Sequence, residues 1–205
     1  ITGMGLISPL ANGVEASWQR LIAGQSGIRH LPEEAYGDTA IRVGGQVPSI
    51  EQDPQHGFDI AALIPVKEQR KADRFIHLAL AAAEEAMTQA GLHHLTEAAK
   101  LRTATIVATG IGGFHAISNA VKTVAEKGSR KLSPFTIPSF IANLAASHVA
   151  IKYGFKGMLG TPVSACAASI QSIGDGFRAI RFDEADIAMV GGCESCLLYT
   201  SPSPR

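Results

Sequence analysis

The stretch PVSACAASIQSIGDGF, residues 162–177, sets one cysteine, Cys166, between an apolar run and a helical pattern. A thiol so placed has two readings. One is a small buried hydrophobe, since unbridged cysteine is among the most buried residue types. The other is a nucleophile. An apolar strand delivers Cys166 to the edge of a sheet, and the helix that follows points its unpaired N–H groups back toward the sulfur. The positive end of a helix dipole favours a thiolate there. Ala165, Ala167 and Ala168 leave room for a substrate to approach the sulfur. A strand–nucleophile–helix elbow also suits stabilisation of an oxyanion by the nucleophile's own N–H. On these residues alone both readings stay open.

Two further patterns compete. Cys193–Glu194–Ser195–Cys196 is a CxxC, the spacing of metal and redox sites. It stands alone, and no second pair or histidine pair completes a set of four zinc ligands. No metal and no cofactor is expected. A histidine such as His115 or His148 could instead partner Cys166 in a Cys/His thioester hydrolase, a geometry the sequence leaves open.

The elements that position these residues alternate. ITGMGLIS (1–8) reads as a strand running into a glycine-rich turn. NGVEASWQRLIAG (12–24) reads as a helix with Asn12 as cap and Gly24 as stop. Residues 25–66 are rich in loops, with a strand at 41–47. A long helix is expected from about Glu68 to Ala90, burying Ala72, Phe75, Ile76, Ala79, Ala83, Ala86 and Met87 and stopping at Gly91. RTATIVATG (102–110) is a strand rich in β-branched residues. Helices near 113–127 and 138–152 are split by GSRKLSPFTIP, and His93–His94 form a surface turn. A strand at 158–165, a helix at 167–182 and a buried strand at 185–192 follow. On the 167–182 helix, Ile170, Ile173, Phe177 and Ile180 form one apolar stripe. Gly174 and Gly176 cost that helix about 1 kcal/mol each against alanine, which close packing against another backbone would explain. A central, buried helix is expected. Strands alternating with helices predict an α/β fold, a mostly parallel sheet covered on both faces.

Bulk properties narrow the function classes. The chain has 205 residues, is 46% hydrophobic and 18% charged, and balances 18 basic against 18 acidic residues. That neutrality argues against nonspecific nucleic-acid binding. No apolar run approaches the roughly 20 residues that span a bilayer, and no secretory signal pattern is visible. Three cysteines make no disulfide framework, so a reducing, cytoplasmic setting is expected. The opening ITGMGLIS and closing LLYTSPSPR read as boundaries of a fragment, with 197–205 a disordered or non-native tail.

Several blocks taken in order carry a family likeness. SACAAS (164–169) with ADIAMVGGCES (185–195) resembles the β-ketoacyl-acyl-carrier-protein synthases of the thiolase superfamily. The opening ITGMGLISPLANGVEASWQRLIAGQSGI, KEQRKADRFI (67–76), ATGIGG (108–113) and KLSPFTIPSFIANLAASHVAIKYGFKG (131–157) fit in the same order. KEQRK and SPFTIP resemble the type II, elongating branch; SAC for the commoner TAC is a departure.

The resemblance implies a thiolase-like fold, N-terminal half, over 1–196. It implies that Cys166 takes an acyl chain from acyl carrier protein as a thioester. Malonyl-loaded carrier protein then attacks with loss of CO2 to give a 3-oxoacyl product. Ile111 matches the position that gates the acyl pocket, and Phe135 and Thr136 would line or approach that pocket. Lys67, Arg70, Lys71, Arg130 and Lys131 would dock the acidic carrier protein, with Glu68 and Asp73 diluting the patch. Homodimerisation through the strand before the nucleophile is implied for the full-length parent. The family's two histidines and supporting lysine lie in C-terminal motifs that this sequence lacks, so the chain alone is expected not to condense. The same short motifs also suit a polyketide or aryl-polyene ketosynthase. A chain-length factor is disfavoured by the presence of Cys166.

Overall fold

The computed structural model describes residues 1–33 and 42–196. In chain order these form α1 (Val14–Ile22), β1 (Ile28–His30), β2 (Val43–Gly45), α2 (Val66–Gln69), α3 (Arg74–Ala90), α4 (Glu97–Leu101) and β3 (Thr103–Ala108). Next come α5 (Phe114–Lys127), α6 (Thr136–Phe140), α7 (Leu144–Tyr153), β4 (Leu159–Gly160), α8 (Ala168–Arg181) and β5 (Ile187–Gly192). Single 3₁₀ turns lie at Ser129–Lys131 and Ala165–Ala167.

The sheet is built around β3, whose six residues, TATIVA, are all buried. β-Branched side chains suit a strand packed on both faces. β5 runs parallel to β3 along its whole length, from Thr103↔Ile187 to Ala108↔Gly192. β4 pairs on the other side, parallel, through Thr105↔Leu159 and Ile106↔Gly160. The order β4-β3-β5 needs crossover helices, and these supply both covering layers. On one face Val107 packs with Phe75 and Ala79 of α3 and Ala146 and Val149 of α7. On the other, Ala104 meets Ala179 of α8. β1 and β2 form a separate antiparallel ladder. Among the described residues no helix is long and apolar enough to cross a membrane.

Several elements depart from expectation for identifiable reasons. Residues 1–8 form no strand, only an isolated bridge between Ile7 and Asn12. Their donors are taken by side chains of α3 instead. Met4 N–H donates to Gln89 Oε1 at 2.6 Å and Leu6 N–H to Glu85 Oε2 at 2.9 Å. Glycine permits this approach, since a Cβ on Gly5 would stand 1.8 Å from the Ala82 carbonyl oxygen. Asn12 does not cap α1. Gly13 occupies that position, and Glu85 Oε1 accepts the Val14 N–H at 2.7 Å. The long helix is two: α2 ends at Gln69, and α3 starts after Asp73. The Asp73 carboxylate accepts from Ala116 N–H at 2.8 Å, tying α5 to the start of α3. Gly91, at φ 67, ends α3 as expected. The strand expected at 41–47 narrows to Val43–Gly45, with residue 41 outside the described residues, as is the 197–205 tail.

The largest correction concerns α8. Its apolar stripe is exposed, with Ile170 at 73% and Phe177 at 61% of full accessibility. The buried face is the small one: Ala168, Ser172, Gly176 and Ala179. Close packing explains Gly176, where a Cβ would stand 2.3 Å from Val190 Cγ1. It does not explain Gly174, where a Cβ would meet only the Arg178 guanidinium, at 3.5 Å. β5, expected buried, is the half-buried edge of the sheet.

Candidate functional site

The expected 158–165 strand is ordered as strand only at Leu159–Gly160. Beyond it the chain is hydrogen-bonded to the loop after β3, Thr109 N–H to the Pro162 carbonyl at 3.3 Å. It then turns sharply. Ala165 has φ 52, a left-handed conformation that costs a non-glycine residue on the order of 1 kcal/mol. The turn puts Cys166 at the surface, inside the 3₁₀ turn that feeds α8. Among the described residues nothing hydrogen-bonds the Cys166 sulfur, His115 and His148 included.

α8 is pinned by a hydroxyl that the sequence reading passed over. Ser172 is wholly buried; its Oγ lies 3.0 Å from the Ile106 carbonyl and 2.8 Å from that of Gly191, and accepts the Gly191 N–H at 2.8 Å. One side chain therefore joins α8 to β3 and β5. Next to it, a Cβ on Gly192 would fall 2.1 Å from Ser169 Oγ, so that glycine lets α8 settle on the strand end. The available signal was spacing: Ser169, Ser172, Gly176 and Ala179 mark a small-residue face.

The loop after β3 lies beside the elbow. Ile111 is half-exposed, at 52%, and its N–H donates to Glu194 Oε2 at 2.9 Å. Thr109 Oγ1 donates to the same oxygen at 3.4 Å and accepts the Gly112 N–H at 3.1 Å. Gly110 sits between the two features: its Cβ would be 3.2 Å from Glu194 Oε2 and 3.9 Å from Ala165 Cα. Glu194 Oε1 accepts the N–H groups of Ser195 and Cys196 at 2.9 and 3.0 Å. The structure thus brings the Ile111 loop to the Cys166 turn, with Glu194 linking it to the loop after β5. In the sequence Glu194 stood out only as the interior of a CxxC.

Cys193 has the opposite environment to Cys166. Its N–H donates to the Ala108 carbonyl at 2.9 Å, and it packs against the core beside Met189. Burial first, and Glu194 second, push its thiol up to about 12. A thiol protonated at neutral pH is a poor metal ligand and a poor redox partner. Among the described residues no three His, Cys, Asp or Glu side chains converge as ligands.

The remaining expected residues gather elsewhere. Arg70, Lys131, Phe135 and Thr136 line one open cleft of about 270 Å³ between α5 and the 129–139 segment. Cys166 and Ile111 do not line it. Lys71 Nζ lies 5.1 Å above the Phe135 ring and 2.8 Å from Glu68 Oε2. Arg130 is exposed beside Lys131, and Lys67 is exposed on α2 away from the cleft. A second groove, of about 510 Å³, follows the open side of β4 past Met158, Pro162 and Phe182.

Comparison with known proteins adds to this geometry. Residues 1–201 match the family model described as beta-ketoacyl synthase, N-terminal domain. The 3-oxoacyl-[acyl-carrier-protein] synthase 2 of Rhizobium meliloti (strain 1021) is 37% identical over 196 residues, covering 95% of this chain and 46% of that protein. The solved ishigamide ketosynthase/chain length factor superposes with a TM-score of 0.80 at 20% identity, over 96% of this chain and 52% of that one. A type II polyketide synthase ketosynthase, solved in complex with its acyl-carrier protein, gives a TM-score of 0.73 at 22% identity, over 94% and 49%. At these identities the two structures establish the fold, that of a ketosynthase N-terminal half. The chain spans about half the length of the curated relatives it matches.

Proposed function

The chain belongs to the beta-ketoacyl synthase family through its N-terminal domain, and on that premise we propose that it supplies the acyl-accepting half of a 3-oxoacyl-acyl-carrier-protein synthase of type II fatty-acid synthesis. The observation that carries the reading is Cys166, exposed on a strained turn at the start of α8. The thiolate attacks the carbonyl of an acyl thioester; the new C–S bond forms and the carrier thiol leaves. Malonyl thioester then loses CO2, and its carbanion attacks the acyl-enzyme. A 3-oxoacyl thioester two carbons longer is released with the Cys166 thiolate. Sulfur suits both half-reactions because it is a good nucleophile and a good leaving group. The decarboxylating histidines and lysine belong to the family's C-terminal half, so residues 1–196 act as one domain of the complete enzyme.

The partner that fits is an acidic acyl carrier protein. Arg70 and Lys131 at the 270 Å³ cleft, with Arg130 beside them, present positive charge around an aromatic wall at Phe135. Such a patch steers an acidic partner. The open side of β4, flanked by the 510 Å³ groove, suits pairing of two subunits in the parent enzyme. We place the enzyme in the cytoplasm, where Cys166 stays reduced. A fatty-acid substrate is preferred to a polyketide one because the curated relatives matched at 35–37% identity are 3-oxoacyl-[acyl-carrier-protein] synthases.

The test is acylation of the purified chain by an acyl thioester or a cerulenin-like electrophile, read by intact and peptide mass spectrometry. One adduct, on Cys166 and lost in Cys166→Ala, is the expected result. Equal labelling of Cys166, Cys193 and Cys196 would refute the reading.

A further inference from the structure

The residue the observations carry furthest is Glu194. We propose that it is a positioning residue for the acyl site, its carboxylate holding the loop after β3 so that Ile111 stays beside Cys166. This rests on the acyl-transfer reading above.

The carboxylate divides its work. Oε2 faces the loop after β3 and accepts from Ile111 N–H and Thr109 Oγ1; Oε1 accepts from Ser195 and Cys196 N–H at the end of β5. One side chain therefore clasps the exits of two adjacent parallel strands. The fit leaves little slack, because Gly110 lies between Glu194 Oε2 and Ala165 Cα. The loop is tied at its two ends by Thr109 N–H to the Pro162 carbonyl at 3.3 Å and Gly113 N–H to the Phe140 carbonyl at 3.0 Å, and Ile111 lies between these anchors. Its side chain is half-exposed, while Gly112 next to it, at φ 84, has a conformation glycine adopts freely. Between those anchors, the bond from Gly112 N–H to Thr109 Oγ1 depends on a hydroxyl that itself leans on Glu194. Without the carboxylate, the Ile111 amide and the Thr109 hydroxyl lose their common acceptor. Ile111 is then free to move away from the Cys166 turn. The Cys166 turn, which has no hydrogen bond to Glu194, stays in place.

The predicted consequence is a change in acyl selectivity with the thiol's intrinsic reactivity unchanged. Two thioesters, butanoyl and dodecanoyl, and one small reagent, iodoacetamide, would be compared on the chain and on Glu194→Ala. The expected result is at least a threefold shift in the ratio of dodecanoyl to butanoyl transfer to Cys166. Alkylation by iodoacetamide should stay within twofold. Hydrogen exchange at the Ile111 amide should quicken at least tenfold, with β3 unchanged. Glu194→Gln keeps one acceptor oxygen and should fall between the two; it carries the comparison if Glu194→Ala does not fold. An unchanged ratio in a wild type that does acylate would overturn the Glu194 assignment alone, as would exchange that quickens evenly through β3 and α8. A wild type that takes no acyl group at Cys166 would overturn the acyl-transfer reading and this role with it.

Discussion

Two glycines two residues apart on α8 should respond to the same substitution with opposite sign. Replacing glycine by alanine inside a helix stabilises by up to about 1 kcal/mol, through propensity and a less disordered unfolded chain. At Gly174 nothing opposes that gain, because the new methyl would meet only the movable Arg178 guanidinium at 3.5 Å. At Gly176 the methyl would land 2.3 Å from Val190 Cγ1 and 3.2 Å from Ala188 Cβ. Val190 has little rotamer freedom with which to yield, so α8 must lift from β5. Such overpacking costs about 1–3 kcal/mol, leaving Gly176→Ala destabilised by up to about 2 kcal/mol. The two variants should therefore differ by about 1–3 kcal/mol in urea unfolding at a common m-value. In a chain of this size each kcal/mol moves the melting temperature by about 2–4 °C. α8 begins at the Cys166 turn, so Gly176→Ala should also alter the rate of Cys166 alkylation and Gly174→Ala should not. If both variants moved together, or Gly176→Ala were the more stable, the inferred seating of α8 would be wrong.

Three further outcomes rest on burial and charge elsewhere in the fold. Cys193, with its thiol pushed up to about 12 by burial and by Glu194, should resist alkylation at neutral pH in the folded chain and react at the ordinary rate in denaturant; rapid native labelling would contradict its packing. His77 is buried with no partner for Nε2, and burial lowers its pKa, with Arg74 and His148 adding to that and Asp73 opposing it. The unfolded chain therefore binds protons below pH about 6.5 that the folded chain refuses. Stability should be flat above that pH and fall below it, by at most about 1.4 kcal/mol per pH unit for this group. Asp53 and Glu97, each held at about 2 by basic partners, act below pH about 5, which leaves the window above it to His77 and to His148, whose pKa burial also lowers. An unaltered slope in His77→Gln between pH 5 and 6.5 would exclude His77 as the cause. Finally, Arg70→Glu with Lys131→Glu should slow acylation of Cys166 by acyl-loaded carrier protein at low salt, and leave acylation by a small thioester unchanged; equal slowing of both would refute a docking role.

How much of this was legible in the sequence depends on which interactions are periodic. β3 and the buried stripe of α3 were plain, because burial on a repeating face leaves a repeating pattern. Gly91 ended α3 as a left-handed residue should. The apolar stripe of α8 misled for the same reason. Periodicity marks an apolar face without saying what covers it, and the face that settles on this sheet is the small one around Ser172 and Gly176. Residues 1–8 alternate like a strand, but their donors are caught by Glu85 and Gln89, about 80 positions away, and no local pattern encodes that pairing. The elbow was partly readable, since Cys166 stood before a helix. The positive φ falls on Ala165, a residue type that gives no hint of it. Phe135 and Thr136, expected near the acyl path, line the same cleft as Arg70 and Lys131.

The site's assembly follows from strand direction more than from any one residue. β4, β3 and β5 are parallel, so the segments that leave their carboxyl ends emerge on one edge of the sheet. Those segments are the Cys166 turn, the Ile111 loop and the Glu194 loop. Ligands of open parallel sheets are met at that edge. The three segments come from residues far apart in the chain, and each is held by contacts with another: Thr109 N–H on the Pro162 carbonyl, Ile111 N–H on Glu194, Ser172 on the ends of β3 and β5. An acyl group on Cys166 would therefore meet a surface whose shape is set by register. A slip of one residue between β3 and β5 would turn every side chain of the moved strand to the other face and part Glu194 from Ile111. That coupling explains why the interactions least visible in the sequence, a buried serine and an acid inside a CxxC, are the ones that seat α8 behind the Cys166 turn and tie the Ile111 loop to the end of β5.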